Sequence, residues 1–286
     1  MADFTLSFNE IAPGVGVGTP APGGWQPIHQ RPLLILVGLT GVGKSTTLAH
    51  LMDGEPGWAL LPDRRTLTDR LIIAAMQAAA GEPVEPVRDR IRRFQYTRRY
   101  RELYPGGMAH ALAQLWIDPG QLPGPLLFDG LRGDNEVAFA AGALPQAHFA
   151  MLDAPDVIRV QRLLGRNDAF DQVHLEGGNV DSTATTRLAD LGIQGAEALF
   201  TPGEAERLLR LVHSGAVPLD ELRARVKIVA EERQNYDPDA TRAALLREAG
   251  SRSLVIDTVA HGPAEVARQI LAWFPCTPAQ QPASPA

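Results

Sequence analysis

The sequence is nearly without cysteine: Cys276, close to the C-terminus, is the one thiol, which excludes an internal disulfide framework and a cysteine-rich metal site. Lysine is almost as scarce. Of 27 basic residues, 25 are arginine and two are lysine, Lys44 and Lys227. No apolar run reaches the length that spans a bilayer, and MADFTLSFNE places an acid where a secretory leader carries bases, so a cytoplasmic protein is expected. A formal net charge of −6 argues against a protein that coats nucleic acid. There is no internal repeat. The 286 residues, 45% hydrophobic, suffice for a substantial core.

Against these absences one stretch stands out, LLILVGLTGVGKSTTL from Leu33 to Leu48. Leu33 to Val37 are all apolar, as a parallel strand buried on both faces requires. Gly38, Leu39, Thr40, Gly41, Val42, Gly43, Lys44 and Ser45 then satisfy the phosphate-binding pattern G-x-x-x-x-G-K-S/T, and a helical run follows. The glycines let the backbone curl with its amides inward, and the helix start favours bound anion. One of the two lysines sits where the pattern needs an ammonium. The spacing therefore predicts a nucleotide cradle from Gly38, Thr40, Gly41, Val42, Gly43, Lys44, Ser45 and Thr46, with Lys44 on the β and γ phosphates and Ser45 on Mg²⁺. The chain has no N-K-x-D or D-x-x-G motif, which disfavours a GTPase and leaves ATP.

Short apolar runs alternate with helical patterns downstream. Expected strands are Leu33 to Val37, Trp58 to Leu61, Leu126 to Phe128, Ala147 to Leu152 and Ser253 to Ile256, the signature of an α/β five-stranded parallel sheet with helices on both faces. Residues 1–31, rich in glycine and proline, read as a flexible N-terminal arm with Phe4, Phe8 or Trp25 as candidates to pin it to the body; residues 275–286 read as a disordered tail. Residues 32–274 then form one domain with two helical insertions at the C-terminal ends of strands, 63–124 and 167–225. The first carries helices at Leu67 to Ala80 and near Met108 to Trp116; the second carries helices at Pro202 to Val212 and Leu219 to Glu232.

Two further segments carry chemistry. PLLFDGLRG, Pro125 to Gly133, ends an apolar strand in Asp129, where such proteins hold Mg²⁺ or its waters. No glutamate follows Asp129, which favours transfer to a bound acceptor over hydrolysis. In AHFAMLDAPDVIRVQRLLGR, Arg159, Arg162 and Arg166 recur at helical spacing and suggest an anion or nucleotide surface. Asp168 and Asp171 follow, suited to orienting an acceptor hydroxyl or to pairing with those arginines. His110, His148, His174 and His213 lack metal-ligand spacing.

In these patches the chain resembles the P-loop nucleoside-monophosphate kinases, the adenylate kinase group above all, with small-molecule kinases such as dephospho-coenzyme A kinase close. GLTGVGKST resembles their phosphate loop, LLFDGLRG their strand ending in D-G-x-P-R, RLLGR the R-L-x-G-R that opens their lid, and SLVIDTVAHGPAEVARQI their last strand and helix. The resemblance implies a P-loop kinase with an acceptor insertion and a helical lid. It makes Arg162 and Arg166 lid-hinge arginines over adenine and phosphates, and Arg132 an acceptor-phosphate ligand. DGLRG lacks the family's proline and places Arg132 one residue early. The acceptor insertion is longer than in small adenylate kinases, so the acceptor is not fixed by the likeness.

The segment PVRDRIRRFQYTRRYRELY interleaves arginines with Phe94, Tyr96, Tyr100 and Tyr104. Guanidinium forks suit phosphate and aromatic rings stack on bases. Arg98 and Arg99 are thus acceptor candidates, with Arg64 and Arg65 approaching from the second strand. The expected reaction is transfer of the ATP γ-phosphoryl group to a phosphate or hydroxyl of a small, nucleotide-like acceptor. A polynucleotide 5′-hydroxyl kinase, gripping a nucleic-acid end with residues 88–101, and a P-loop ATPase driving a partner remain as alternatives.

Overall fold

The computed structural model describes residues 7–54, 57–165 and 187–275. Its first elements correct an expectation: most of the segment read as a mobile arm is folded. β1 (Asn9–Ala12) and β2 (Val15–Val17) form a hairpin, and β3 (Gln26–Pro27) joins them through a shared antiparallel partner at Leu115–Ile117. Glycine and proline here make turns between buried apolar residues. Gly14, at φ +71°, closes the hairpin, while Ile11, Val15, Val17 and Ile28 enter the main core. Phe8 packs edge-on against Trp25 at 4.9 Å, over Gly16, where an added Cβ would lie 2.3 Å from the Phe8 ring. Arg31 then fastens the segment by donating to the carbonyls of Leu122 and Gly124 at 2.7 and 2.8 Å.

The chain continues through β4 (Leu33–Val37), α1 (Lys44–Gly54), β5 (Ala59–Leu60) and α2 (Arg64–Leu67). A π-helical stretch, Thr68–Ile73, leads into α3 (Ala74–Ala79), followed by α4 (Arg90–Leu103) and α5 (Gly107–Leu112). β6 (Leu115–Ile117) is the partner of the N-terminal strands. It occupies the end of the run expected to be helical as far as Trp116, because those strands offer Leu115 and Ile117 a ladder that the isolated sequence does not reveal. Next come β7 (Leu126–Leu131), α6 (Asp134–Ala143), β8 (Ala147–Asp153) and α7 (Asp156–Leu164). Beyond residue 187 lie α8 (Pro202–His213), α9 (Leu219–Asn235), α10 (Pro238–Glu248), β9 (Ser253–Asp257) and α11 (Pro263–Trp273).

β5, β7, β4, β8 and β9 make a five-stranded parallel sheet in that order, with the phosphate-loop strand at its centre. Alternation of side chains gives β4 two cores. Leu33, Ile35 and Val37 join Phe128, Phe149, Val137 and Leu245 on the face covered by α6 and α10. Leu34 and Leu36 join Leu51, Val266 and Ile270 on the face covered by α1 and α11. A third cluster, with Val160, Leu208, Leu222 and Val229, bundles α7, α8 and α9 beside the sheet. No helix among the described residues is long and apolar enough to cross a membrane.

Candidate active site

Leaving β4, the backbone turns through Gly38 (φ +146°), Gly41 (+87°) and Gly43 (+105°) before α1 starts at Lys44. Two of these glycines are also steric requirements. A Cβ on Gly38 would stand 2.6 Å from the Leu152 carbonyl oxygen, and one on Gly41 2.9 Å from that of Arg159. Lys44 Nζ donates to the carbonyls of Gly38 and Leu39 at 2.9 and 3.1 Å and stands 3.9 Å from Asp129 Oδ1. Burial pulls the ammonium below the usual lysine range, with Asp129 opposing. Ser45 and Thr46 are exposed in the first turn of α1, whereas the Val42 side chain is buried in the core and only its backbone faces the site.

Asp129 owes its position to a β-bulge. The register of β7 against β4 slips between Leu36, opposite Asp129, and Val37, opposite Leu131, leaving Gly130 as the extra residue. A Cβ on Gly130 would lie 2.5 Å from the Phe128 ring, so this D-G pair is set by close packing. Asp129 Oδ1 is buried and accepts no hydrogen bond from the protein. Among the described residues no group of three or more His, Cys, Asp or Glu forms a metal cage. A hard carboxylate oxygen left without a donor, beside the exposed Ser45 hydroxyl, fits Mg²⁺, which takes one or two protein oxygens and completes its shell from phosphates and water.

A residue that the sequence reading passed over ties the site together. Glu232, near the end of α9, accepts from the Thr40 amide at 3.0 Å, the Thr40 hydroxyl at 2.6 Å and Arg132 Nη1 at 2.8 Å, and pairs with Arg159. Arg159, 1% exposed, also donates through Nε to the Thr40 carbonyl at 2.8 Å and pairs with Asp156. The N–H, hydroxyl and C=O of Thr40 are therefore all held by two helices outside the motif. This corrects the expectation that Arg159 belongs to an anion or nucleotide surface: it is buried against acids from α9 and from the start of α7. Burial pushes the Glu232 carboxyl up, but Arg132, Arg159 and the Thr40 hydroxyl outweigh it and hold it below the usual range.

Arg162 lies one turn further along α7. It donates to the Val42 carbonyl at 3.0 Å and to the hydroxyl and carbonyl of Thr258 at 2.8 and 2.7 Å. With Gly41, Gly43, Thr46, Thr258 and His261 it lines a cleft of about 310 Å³ on one side of the loop. Arg166, Asp168, Asp171, His174 and Cys276 lie outside the described residues. On the opposite side a second cleft, of about 180 Å³, is lined by Thr40, Gly41, Gly43, Lys44, Ser45, Arg64, Asp129, Gly130 and Arg132.

Of the acceptor candidates, Arg64 and Arg132 reach this second cleft. Arg64 forks onto Glu136 at 2.6 and 2.8 Å and donates to the Gly130 carbonyl; the Arg132 amide donates to the same Glu136 at 3.0 Å. Burial raises the Glu136 carboxyl, yet Arg64 more than reverses this, so the pair is ionic at neutral pH. The cleft does not receive Arg65, Arg98 or Arg99, all of which are exposed. Arg98 pairs with Glu102 along α4. That helix turns Tyr96 and Tyr100 into the core, which leaves Arg98 and Arg99 on its solvent side. Among the histidines, His110 stacks on Tyr104 at 4.2 Å, His148 sits edge-on to Trp273 and Phe274, and His213 is exposed, all consistent with packing or surface roles.

No protein-family model matches the chain, and no curated protein matches it significantly. Among solved structures it is similar to an unliganded sugar kinase from a Janibacter species, at 15% identity over 87% of this chain and 97% of that one, with a TM-score of 0.38. A sulfotransferase from Alicyclobacillus acidocaldarius (13% identity, 85% and 81% covered, TM-score 0.37) and one from Mycobacterium avium (14%, 87% and 64%, 0.39) are similar at the same distance. The α/β architecture with a phosphate-loop strand at the sheet centre rests on the chain's own sheet order and loop, and these distant likenesses add nothing finer.

Proposed function

We propose that the protein is an ATP-dependent phosphotransferase that moves the γ-phosphoryl group onto a small acceptor held beside Arg64 and Arg132. The observation that carries this reading is the pair of clefts sharing Gly41 and Gly43, one on each side of the phosphate loop. The second holds Lys44, Ser45 and Asp129, where phosphates and Mg²⁺ would sit, and continues to Arg64 and Arg132, which leaves a wall for an acceptor beside the γ-phosphate. The side of Arg162, Thr258 and His261 suits the base and ribose; the loop amides and Lys44 suit the phosphates. Asp129 and Ser45 would hold Mg²⁺, which when bound neutralises charge on the β and γ phosphates.

In the reaction the acceptor oxygen bonds to the γ-phosphorus while the bond from phosphorus to the β,γ-bridging oxygen breaks. ADP leaves with that electron pair, and the acceptor proton passes through the transferred phosphoryl oxygens to solvent. The protein's part is positioning and charge stabilisation. Lys44 exchanges its two loop carbonyls for phosphate oxygens, Thr40 is kept rigid by Glu232 and Arg159, and the absence of a carboxylate immediately after Asp129 leaves water without an obvious activating base. The adenylate kinase likeness of the loop, the D-G strand end and RLLGR supports a kinase. The polynucleotide alternative is weakened by the place of Arg98 and Arg99 on the outer side of α4. The test is Mg²⁺-dependent binding of ATP followed by a screen for ADP release over nucleosides, nucleoside monophosphates, sugars, dephospho-coenzyme A and 5′-hydroxyl oligonucleotides. Acceptor-dependent release supports transfer; ADP release that ignores every acceptor overturns it.

A further inference from the structure

The cations around the acceptor cleft are already matched. Arg64 is forked onto Glu136, whose side chain is 2% exposed. Arg132 and Arg159 share Glu232, and Arg159 also holds Asp156. Arg233, which reaches Asp156 at 3.3 Å, is near Asp237 at 3.9 Å. That leaves Lys44 and Asp129, 3.9 Å apart, as the pair nearest the reacting groups, and the proposed nucleotide and metal engage both. Among the described residues the acceptor cleft therefore offers no cation without a carboxylate partner. From this charge matching we infer that the acceptor is an uncharged hydroxyl compound, such as a sugar, polyol or nucleoside, and not a phosphate monoester. The inference rests on the phosphotransferase reading and narrows it.

The physical reason is the cost of breaking a buried pair. A phosphate dianion at Arg64 would either displace Glu136 from both guanidinium nitrogens, leaving a buried carboxylate without its counter-ion, or lie against the like charge of the carboxylate that stays. That penalty exceeds what one new arginine–phosphate contact returns. A hydroxyl asks for less. It can accept from an outer N–H of Arg64 or Arg132 while every ion pair stays intact. The depressed carboxyls of Glu136 and Glu232 agree with this, because both acids stay ionised at neutral pH and keep their arginines occupied.

The experiment fills the loop with the β,γ-imido analogue of ATP and Mg²⁺ and then titrates inorganic phosphate calorimetrically. Absence of analogue binding in the first step would remove the nucleotide reading itself, and the inference with it. With the analogue bound, the wild-type protein should show no saturable phosphate binding. Glu136→Gln, which frees the Arg64 fork, should gain it by about tenfold or more in affinity. Saturable phosphate binding to the wild-type complex that Arg64→Ala or Arg132→Ala abolishes would overturn the inference. Should Glu136→Gln fail to fold, ADP release compared between ribose and ribose 5-phosphate, and between nucleosides and their monophosphates, decides the question: faster release with the phosphorylated member of each pair overturns it, and faster release with the unphosphorylated member supports it.

Discussion

The two clefts beside the phosphate loop are built from different materials. The Arg162 side is lined by backbone, threonines, one imidazole and the apolar Pro263 and Val266, and its single cation donates to the carbonyl of Val42 and to the hydroxyl and carbonyl of Thr258. The Arg64 side is lined by ions whose partners stand directly behind them. Their origins differ as well. The first comes from α1, α7 and the connection after β9, elements of the sheet and its cover. The second borrows Arg64 from α2, Glu136 from α6 and Glu232 from α9. A cleft made of backbone discriminates by shape. One made of matched ions admits a guest only if the guest leaves the matching intact, so in the proposed reaction this side would set acceptor choice and the loop between them would serve both.

The most damaging single change is expected at the shared element. Lys44→Ala removes the one ammonium aimed at the transferring group, and loss of such a preorganised donor lowers turnover by about 10²- to 10³-fold or more. Its partners in the folded chain are two loop carbonyls that water can replace and Asp129 at 3.9 Å, so the unfolding midpoint should stay within a few degrees. Steady-state ADP release, paired with thermal denaturation, checks both halves. Full activity in a folded Lys44→Ala protein would mean that the loop does not carry the chemistry.

The next change separates the clefts by attacking what holds Thr40 between them. Arg159→Met leaves Glu232 with Arg132 alone and removes the donor to the Thr40 carbonyl. Breaking a buried pair of this kind costs about 3–5 kcal/mol, toward the lower end here because Arg132 remains. Urea unfolding measures it. Adding Glu232→Gln should recover part of the loss, since the stranded charge is then gone. The same carboxylates set an acid limit. Glu136 and Glu232 are held below their unfolded values, so their contribution is complete above the ordinary carboxylate range and disappears as pH falls through the folded values. Stability that stays flat on acidification through that window would show the pairs to be energetically idle.

The lining of both clefts was partly legible in the sequence, which marked Lys44, Ser45, Arg64, Asp129 and Arg132 on one side and Arg162 on the other, whereas Thr258, His261 and the carboxylates behind the cations were not. The loop, its strand and its helix are contiguous in the chain, and Val37, Gly38 and Lys44 declare themselves by local pattern. The five strands were recognisable because each is a short apolar run bounded by turn residues. Glu232 carries no such signal. It sits in ELRARVKIVAEERQN among charges that read as a solvated helix, and only the packing of Val226 and Val229 against α7 turns it toward Thr40. Arg159 reads as part of an anion surface for the same reason, since Glu232 lies 73 residues away in the chain. The N-terminal strands were hidden by composition: glycine and proline between Ile11, Val15, Val17 and Ile28 look like disorder until β6 is in place.

A smaller effect is expected at Asp129, which lines the Arg64 cleft and in the proposed reaction would act through the metal. Asp129→Asn keeps the volume and loses the charge that makes the unpartnered Oδ1 a cation ligand. The Mg²⁺ concentration for half-maximal rate should rise several-fold while the acceptor KM holds steady. An unchanged Mg²⁺ dependence would reduce Asp129 to a bulge residue.

The smallest effect is expected where the sequence looked most suggestive, on the arginines of α4. The Arg98 side chain is 68% exposed and its partner Glu102 61% exposed, and an i,i+4 pair of this kind contributes about 0.3–0.5 kcal/mol. The helix is held by Val87, Tyr96 and Tyr100, none of which Arg98 touches through that pair. Arg98→Ala and Arg99→Ala should therefore leave stability, the ATP KM and the acceptor KM close to wild type, whereas Arg132→Ala should raise the acceptor KM. The polynucleotide kinase predicts the reverse. If α4 tracked a nucleic-acid backbone, each arginine would neutralise a phosphate and release a counterion, and oligonucleotide affinity would fall steeply with salt. Binding of a 5′-hydroxyl oligonucleotide across a salt series decides it. A steep slope that becomes shallower in Arg98→Ala and Arg99→Ala would move the acceptor surface from the cleft to α4; weak binding with a flat slope keeps it beside Arg64 and Arg132.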